Sequence, residues 1–139
     1  MMHSIEDQLI LHEGLRLKPY RCTAGKLTIG VGRNLDDKGI TYDEAMFLLR
    51  NDIAEVTAQL ERFDWFRALG PVRRKVLVDM AFNLGMAGLL GFQKMIAALA
   101  RGDYKAAADE MVDSAWYHQV GTRARRLVEM MRTGEDYTN

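Results

Sequence analysis

The sequence predicts a mixed α+β fold that is mostly helical. Glycines are concentrated between Pro19 and Thr41, in a stretch that also holds the strand-like segment 27–31. Beyond Thr41, apolar residues recur every three or four positions, which is typical of amphipathic helices. These two observations predict a small β-containing lobe near the N-terminus and a larger helical lobe. A cleft between two such lobes is the default place for a ligand.

The N-terminal part is predicted to form a helix over residues 4–13 and then a small sheet. Ser4 is a typical N-cap residue, and Gly14 is a typical residue for a helix end. The segment 27–31 has turn residues on both sides, so a hairpin or a three-stranded sheet is expected around it.

The helical lobe is predicted from residue 41 onward. A capping box at Thr41 begins its first helix. Pro71 suits the first turn of the next helix, which is expected to stop at Gly85. Three shorter helices are predicted near 92–102, 103–111 and 122–134, the last two capped by Asp103 and Thr122.

The length and composition predict one domain over residues 1–139. Its small lobe would span about 14–40 and its helical lobe 41–139, joined by the N-terminal helix 4–13. The apolar fraction of 48% and the charged fraction of 27% are ordinary for a soluble globular protein. The formal net charge is zero, which argues against a nucleic-acid or anionic-membrane partner.

Neither a secretion signal nor a membrane anchor is expected. No apolar run is long enough to cross a bilayer, and charged residues interrupt the first helix, so no stable membrane insertion is predicted. Cys22 is the single cysteine, which rules out an internal disulfide. The chain is therefore expected to fold in a cytoplasm, and a monomer is the default.

Glu13 is the first candidate functional residue. It continues the face of the first helix that carries Ile5 and Leu9, just before Gly14. A carboxyl group on an apolar face should be partly desolvated, which favours the protonated form that a general acid needs. The alternative is a rim residue, or a buried ion-pair partner of Arg16 or Arg123.

The residues that follow Glu13 resemble the phage lysozyme family, the T-even type endolysins. The family pattern is a Glu, eight residues, an Asp or Cys, five residues and a Thr, and here it is met by Glu13, Cys22 and Thr28. Further segments match in the same order along nearly the whole chain, namely 81–85, 114–117, 123–126 and 132–134. The resemblance implies a lysozyme-like fold with two lobes.

It also implies an endolysin that hydrolyses the β-1,4 bond between N-acetylmuramic acid and N-acetylglucosamine in bacterial peptidoglycan. Glu13 would protonate the leaving oxygen, while Cys22 and Thr28 would position and activate water, with inversion at the anomeric carbon. No metal or organic cofactor is implied. Action on the cell wall in the periplasm would need release by a holin-like partner.

Cys22 stands where the family usually has an aspartate. A thiol is mostly protonated at neutral pH, so a catalytic role requires a lowered pKa, to which Arg21 and Lys26 could contribute. Two alternatives remain open: an idle thiol in a loop, and a nucleophile on a covalent, retaining path.

By the same resemblance, the substrate-binding positions are Asn34, Phe82, Met95 and Glu110. Phe82 could present an apolar face to a sugar ring or pack in the core, and Met95 and Glu110 differ from the polar residues expected there. Trp116 and Tyr117 are expected to pack the helical lobe.

Two further departures from the family pattern concern the small lobe. Arg33 replaces a histidine that many members carry and could form an ion pair in its place. The connection 34–39 is shorter than in the family.

Two rival functions draw on other features. The run of three arginines at 123, 125 and 126 could meet phosphate at the start of a helix, as in a nucleic-acid-binding module. Acidic residues nearby and the zero net charge oppose that reading. A catalytically impaired peptidoglycan-binding domain is the other rival, and its basis is the unusual Cys22.

Overall fold

The protein is described by a computed structural model over residues 2–138. A three-stranded antiparallel sheet near the N-terminus is followed by helices, so the predicted fold class is confirmed. In chain order the elements are α1 Ile5–Glu13, β1 Arg16–Arg21, β2 Leu27–Gly30, β3 Arg33–Asn34, α2 Tyr42–Leu60, α3 Asp64–Arg67, α4 Pro71–Leu90, α5 Gln93–Ala100, α6 Tyr104–Val112, α7 Ala115–Val120 and α8 Thr122–Thr133.

The chain forms two compact units, and the division falls inside α2, between Leu49 and Arg50. The first unit therefore holds α1, the sheet and the first turns of α2. This boundary lies nine residues after the expected start of the helical lobe at 41, and α1 is grouped with the sheet. The second unit contains the remaining turns of α2 and all of α3 to α8.

Local signals set the bounds of α1 as predicted. The Ser4 hydroxyl accepts a hydrogen bond from the Asp7 amide at 3.0 Å, and the Asp7 carboxylate accepts one from the Ser4 amide, so the two form a capping box. At the other end Gly14 has φ +83°, and its amide donates to the Ile10 carbonyl at 2.8 Å.

The sheet has the strand order β1-β2-β3. Tyr20 pairs with Thr28, and Thr28 in turn pairs with Asn34, so Thr28 lies on the central strand. The register of β1 against β2 is irregular between Arg16 and Tyr20. Side chains of the central strand are the most enclosed of this unit, and Thr28 is 3% exposed.

Most predicted helix boundaries of the second unit are confirmed. Pro71 begins α4, whose helical geometry breaks at Gly85 with φ +74° before a last turn resumes. Asp103 caps α6 by accepting from the Ala106 amide at 3.0 Å. The predicted cap at Thr122 is wrong: Gly121 is the N-cap, and the Thr122 hydroxyl accepts from Arg125 instead.

Two short helices, α3 and α7, were not predicted. They have four and six residues, too few for a periodic apolar stripe to stand out. Ser114, which caps α7 by accepting from the Tyr117 amide at 3.2 Å, was the available signal for the second.

One apolar core fills the second unit. Its largest fully buried side chains come from the C-terminal end of α2 and from α3 to α6 and α8, and they include Leu60, Phe66, Leu77, Met80, Leu89, Met95, Met111 and Met131. Trp116 is 5% exposed and packs edge-on against Phe92, with ring centroids 6.0 Å apart. The expectation that Trp116 packs this region is confirmed, and Tyr117 also packs against the core.

Within residues 2–138, no single helix is both long and apolar enough to cross a membrane. Only α4 and α5 taken together, bent by 96°, reach that length and composition.

Candidate active site

Glu13 is the last residue of α1, and its side chain is exposed. The expectation of a desolvated carboxyl group is wrong, because the stripe it was based on is not a core face: Ile5 is 58% exposed and Leu9 46%. The alternative of a buried ion pair is contradicted by the same exposure. Arg16 instead places its guanidinium 4.5 Å from the ring centroid of Tyr20.

The Glu13 carboxylate lies against the turn between β2 and β3. A Cβ atom built on Gly32 would stand 2.8 Å from Glu13 Oε2 and 3.2 Å from its Cδ. The absence of a side chain at Gly32 therefore leaves the space that the carboxylate occupies. This contact ties the predicted acid to the hairpin that carries the other predicted catalytic residues.

Cys22 begins a tight turn between β1 and β2. The Gly25 amide donates to the Cys22 carbonyl at 2.8 Å, and the Cys22 amide donates to the Lys26 carbonyl at 3.0 Å. Gly25 has φ +77°, a conformation that favours glycine. In such a turn an Asp or Asn side chain at the first position accepts the amide two residues later, and the thiol of Cys22 takes this position.

The surroundings of Cys22 lower the pKa of its thiol. The backbone amide of Lys26 is the largest cause, followed by that of Ala24, while partial burial acts in the opposite direction and the Thr28 hydroxyl assists. Cys22 and Thr28 thus lie in the same hairpin, where the Thr28 hydroxyl is one of the groups that lower the pKa of the Cys22 thiol. The cause differs from the expected one, since backbone amides and a hydroxyl replace the side-chain charges of Arg21 and Lys26.

Thr28 is held firmly in place. It is the one buried polar residue of the described chain, and its hydroxyl donates to the Lys26 carbonyl at 2.9 Å. A hydroxyl has a single hydrogen, so it cannot donate to this carbonyl and to a Cys22 thiolate together. Ionisation of Cys22 would favour rotation of the hydroxyl toward sulfur.

Carboxylates of the connection 34–39 brace this turn. Asp36 accepts from the Leu27 amide at 2.7 Å, and Asp37 accepts from the Lys26 ammonium at 3.2 Å. The Asn34 amide is used in the same loop: its Nδ2 donates to Asp37 at 3.0 Å, and its Oδ1 accepts from the Asp37 amide at 3.0 Å. These local bonds help to form the loop, and Asn34 itself is half-buried.

Arg33 forms the expected ion pair. Its guanidinium donates two hydrogen bonds to Glu44, at 2.9 and 2.8 Å, and a third to the Gly39 carbonyl. Glu44 also accepts from the Thr41 amide at 2.9 Å, which completes the predicted capping box. The Arg33 guanidinium, then the Thr41 amide, hold the pKa of Glu44 at about 2. This bidentate pair fixes β3 to the start of α2.

The other three predicted substrate-binding residues lie in the second unit. Phe82 is 41% exposed, so its ring lies outside the core and is open to a ligand. Met95 is only 1% exposed, so it is a core residue rather than the expected substrate contact, although it borders a pocket. Glu110 is half-buried and lines the same pocket, of about 380 Å³, with charged neighbours Lys94 and Asp113.

Two contacts of the candidate site residues were not predicted from the sequence. Gly32 belongs to the Thr-Ile-Gly-x-Gly segment, but nothing in the pattern showed that Glu13 would lie against it. Asn83, next to Phe82, accepts a 2.7 Å hydrogen bond from the indole nitrogen of Trp116. No group of three or more His, Cys, Asp or Glu side chains in residues 2–138 is arranged to hold a metal ion.

The phage lysozyme family model matches residues 11–133, which include every predicted site residue. The chain is 27% identical to probable T4-type lysozyme 1 of Dictyostelium discoideum, with 96% of each chain covered. It is 36% identical to an endolysin of Acyrthosiphon pisum secondary endosymbiont phage 1, with 80% of this chain and 79% of that protein covered.

A third relative is the pre-baseplate central spike protein Gp5 of Enterobacteria phage T4, at 29% identity. That alignment covers 94% of this chain but 28% of the spike protein. The long family match and the placement of Glu13, Cys22 and Thr28 in one unit agree. The chain belongs to the phage lysozyme family, a family of glycoside hydrolases.

Proposed function

We propose that this protein hydrolyses the β-1,4 bond between N-acetylmuramic acid and N-acetylglucosamine in bacterial peptidoglycan, as an endolysin. The observation that carries the proposal is the placement of Cys22 and Thr28 in one hairpin whose next turn lies against the Glu13 carboxylate. Two relatives, a probable lysozyme and an endolysin by name, support the same proposal.

In the proposed reaction Glu13 is the general acid. Its exposed carboxyl group can reach a sugar polymer without a rearrangement of the core, and it donates its proton to the leaving glycosidic oxygen. The bond between that oxygen and the anomeric carbon breaks as the proton is transferred. Because Glu13 is exposed, partial desolvation of the acid would have to come from the bound glycan.

Cys22 and Thr28 act on the water. The Thr28 hydroxyl holds a water molecule, and the Cys22 thiolate accepts its proton as the oxygen attacks the anomeric carbon. The backbone amides that lower the pKa of Cys22 support this role, since they stabilise the thiolate without a neighbouring cation. They also argue against an idle thiol.

An inverting course follows from placing a water between acid and base. Inverting enzymes separate their acid and base by about 6.5–9.5 Å, which leaves room for such a water. A retaining path through a covalent bond from Cys22 sulfur would be revealed by the configuration of the first product.

We further propose that Phe82 and Glu110, both in the second unit, bind substrate. Phe82 offers an exposed ring for a sugar face, and Glu110 offers a carboxylate to hydroxyl or amide groups of the glycan or its peptide. Asn34, which is half-buried, remains a proposed substrate contact, whereas the Met95 side chain is not available because it lies in the core.

The test compares wild type, Glu13→Gln and Glu6→Gln on a suspension of outer-membrane-permeabilised Gram-negative cells. Glu6→Gln is the matched control, since it makes the same change in the first turn of the same helix. Circular dichroism checks all three folds. Clearing by wild type and Glu6→Gln but not by Glu13→Gln supports the acid, and clearing by folded Glu13→Gln refutes it.

The products identify the bond. Borohydride reduction labels the new reducing ends, and mass spectrometry then distinguishes N-acetylmuramic acid from N-acetylglucosamine. Reduced N-acetylmuramic acid is the expected product, and reduced N-acetylglucosamine alone would overturn the bond assignment. A folded wild type that pellets with cell walls but releases no reducing ends would instead be an impaired peptidoglycan-binding domain.

We propose that the protein is made in the host cytoplasm, acts as a monomer and reaches the wall in the periplasm through a holin-like partner. Cells expressing the chain alone should keep their optical density until chloroform permeabilises the inner membrane, and should then lyse. Lysis without any permeabilising agent would contradict holin dependence. Light scattering of the purified protein would test the monomer.

A further inference from the structure

We infer that Gly32 is a positioning residue for Glu13. Because glycine has no side chain, it leaves free the space that the Glu13 carboxylate occupies, and this places the carboxyl group for proton transfer. The inference rests on the proposed function, because it assigns the reason why the acid is correctly placed. It adds a residue that contributes no chemical group of its own.

The geometry at Gly32 is specific to Glu13. A Cβ atom at this position would meet three atoms of one side chain, at 2.8 Å from Oε2, 3.2 Å from Cδ and 3.4 Å from Cγ. The nearest of these distances is about 0.6 Å shorter than an ordinary contact of 3.4 Å. Glu13 is at a helix end and its carboxylate is the mobile end of the side chain, so the carboxylate would give way and the backbone would not.

An added methyl group at position 32 should displace the Glu13 carboxyl group and leave the hairpin folded. Catalytic groups must lie within about 0.5 Å of their productive positions, and a misplacement of about 1 Å can cost 100-fold in rate. A displacement of the size required here should therefore lower kcat by about 10- to 100-fold and change KM little.

Gly30, at the end of β2, provides a nearby control. Gly30 and Gly32 both have positive φ, +70° and +68°, so alanine meets backbone strain at both. A Cβ atom on Gly30 has no neighbour within 4 Å. Gly30→Ala and Gly32→Ala should therefore lower the melting temperature by similar amounts, and only Gly32→Ala should lose most of its kcat.

A double-mutant cycle tests whether the effect passes through Glu13. Glu13→Asp withdraws the carboxylate by one methylene and removes the contact with position 32. Gly32→Ala should then cost little further activity in the Glu13→Asp protein, although it costs about 10- to 100-fold in the wild type. Equal, additive losses in both backgrounds would contradict a positioning role.

A readout independent of activity separates this inference from the proposed function. The side-chain carboxyl carbon of Glu13, observed by ¹³C NMR and assigned with Glu13→Gln, should shift in Gly32→Ala and stay in place in Gly30→Ala. If Glu13→Gln is inactive but the two alanine variants have equal kcat and unshifted resonances, the role of Gly32 is overturned and the proposed function stands. If Glu13→Gln is active, the proposed acid is wrong, and the role of Gly32 in catalysis falls with it.

Discussion

The hydroxyl of Thr28 can be removed without unfolding the hairpin, and the consequence should be a loss of rate. Thr28→Val keeps the shape of the side chain and deletes the hydrogen bond from Oγ1 to the Lys26 carbonyl, which is 2.9 Å long. That carbonyl still accepts from the Cys22 amide at 3.0 Å, so it is not left unsatisfied. The cost in folding free energy should therefore be the net value of one hydrogen bond, about 0.5–1.5 kcal/mol.

Thr28→Ser is the complementary change. It keeps the hydroxyl and deletes a methyl group from a side chain that is 3% exposed, which costs about 1 kcal/mol. The two variants should thus have similar stability. Domains of this size are stable by about 5–15 kcal/mol, so either loss leaves nearly all molecules folded. A difference in activity between them must then come from the hydroxyl.

We expect Thr28→Val to lose about 100-fold in the rate of cell clearing, in line with the loss of one preorganised hydrogen-bonding group, while Thr28→Ser stays within a few-fold of wild type. Urea denaturation measures the two stabilities, and clearing of permeabilised cells measures the two rates. Equal rates for the valine and serine variants would remove Thr28 from the mechanism. A stability loss far beyond 1.5 kcal/mol in the valine variant would show that the hydroxyl is mainly structural.

Three further predictions concern Cys22, Glu44 and Arg73. Cys22→Asp should keep clearing activity, because a carboxylate can accept the same turn amides as the thiol, and a folded but inactive variant would contradict this. The pKa of Glu44 is lowered from 4.5 to about 2 by Arg33, so the pair stabilises the fold above about pH 5 and the benefit is lost as pH falls toward 2. The melting temperatures of wild type and Glu44→Gln should converge over that range, and a constant difference would refute the linkage. Arg73→Met should cost about 2 kcal/mol in urea denaturation, because Arg73 donates to the Met131 carbonyl at the end of α8 at 2.7 Å, and unchanged stability would show that this cap is dispensable.

Several helix boundaries could be predicted from the sequence, because each is set by a capping residue and the few residues next to it in the chain. Ser4, Thr41 and Asp103 cap their helices as predicted, and Gly134 ends α8 in the left-handed conformation. These signals act over three or four residues. The prediction of Thr122 as an N-cap was wrong because Gly121 is the N-cap of α8. The sequence does not decide which of two adjacent residues caps a helix.

The burial of individual side chains could not be predicted from the sequence in this way. The stripe that ends in Glu13 has the spacing of a core face, yet α1 has no buried residue. Met95 and Phe82 are both apolar and on helices, but one is 1% exposed and the other 41%. An apolar pattern shows which residues share a face of a helix, whereas exposure depends on what other segments pack against that face.

The sequence by itself determined the fold class, the family resemblance and the choice of Glu13, Cys22 and Thr28 as candidate catalytic residues, because spacing along the chain carries that information. Tertiary structure decided their surroundings. Pairing of β1 with β2 brings the Lys26 amide and the Thr28 hydroxyl to Cys22, and the turn after β2 brings Gly32 against Glu13. Glu13 and Gly32 are 19 residues apart, whereas Lys26 and Thr28 follow Cys22 by four and six residues; strand pairing and the turn conformations bring each set together.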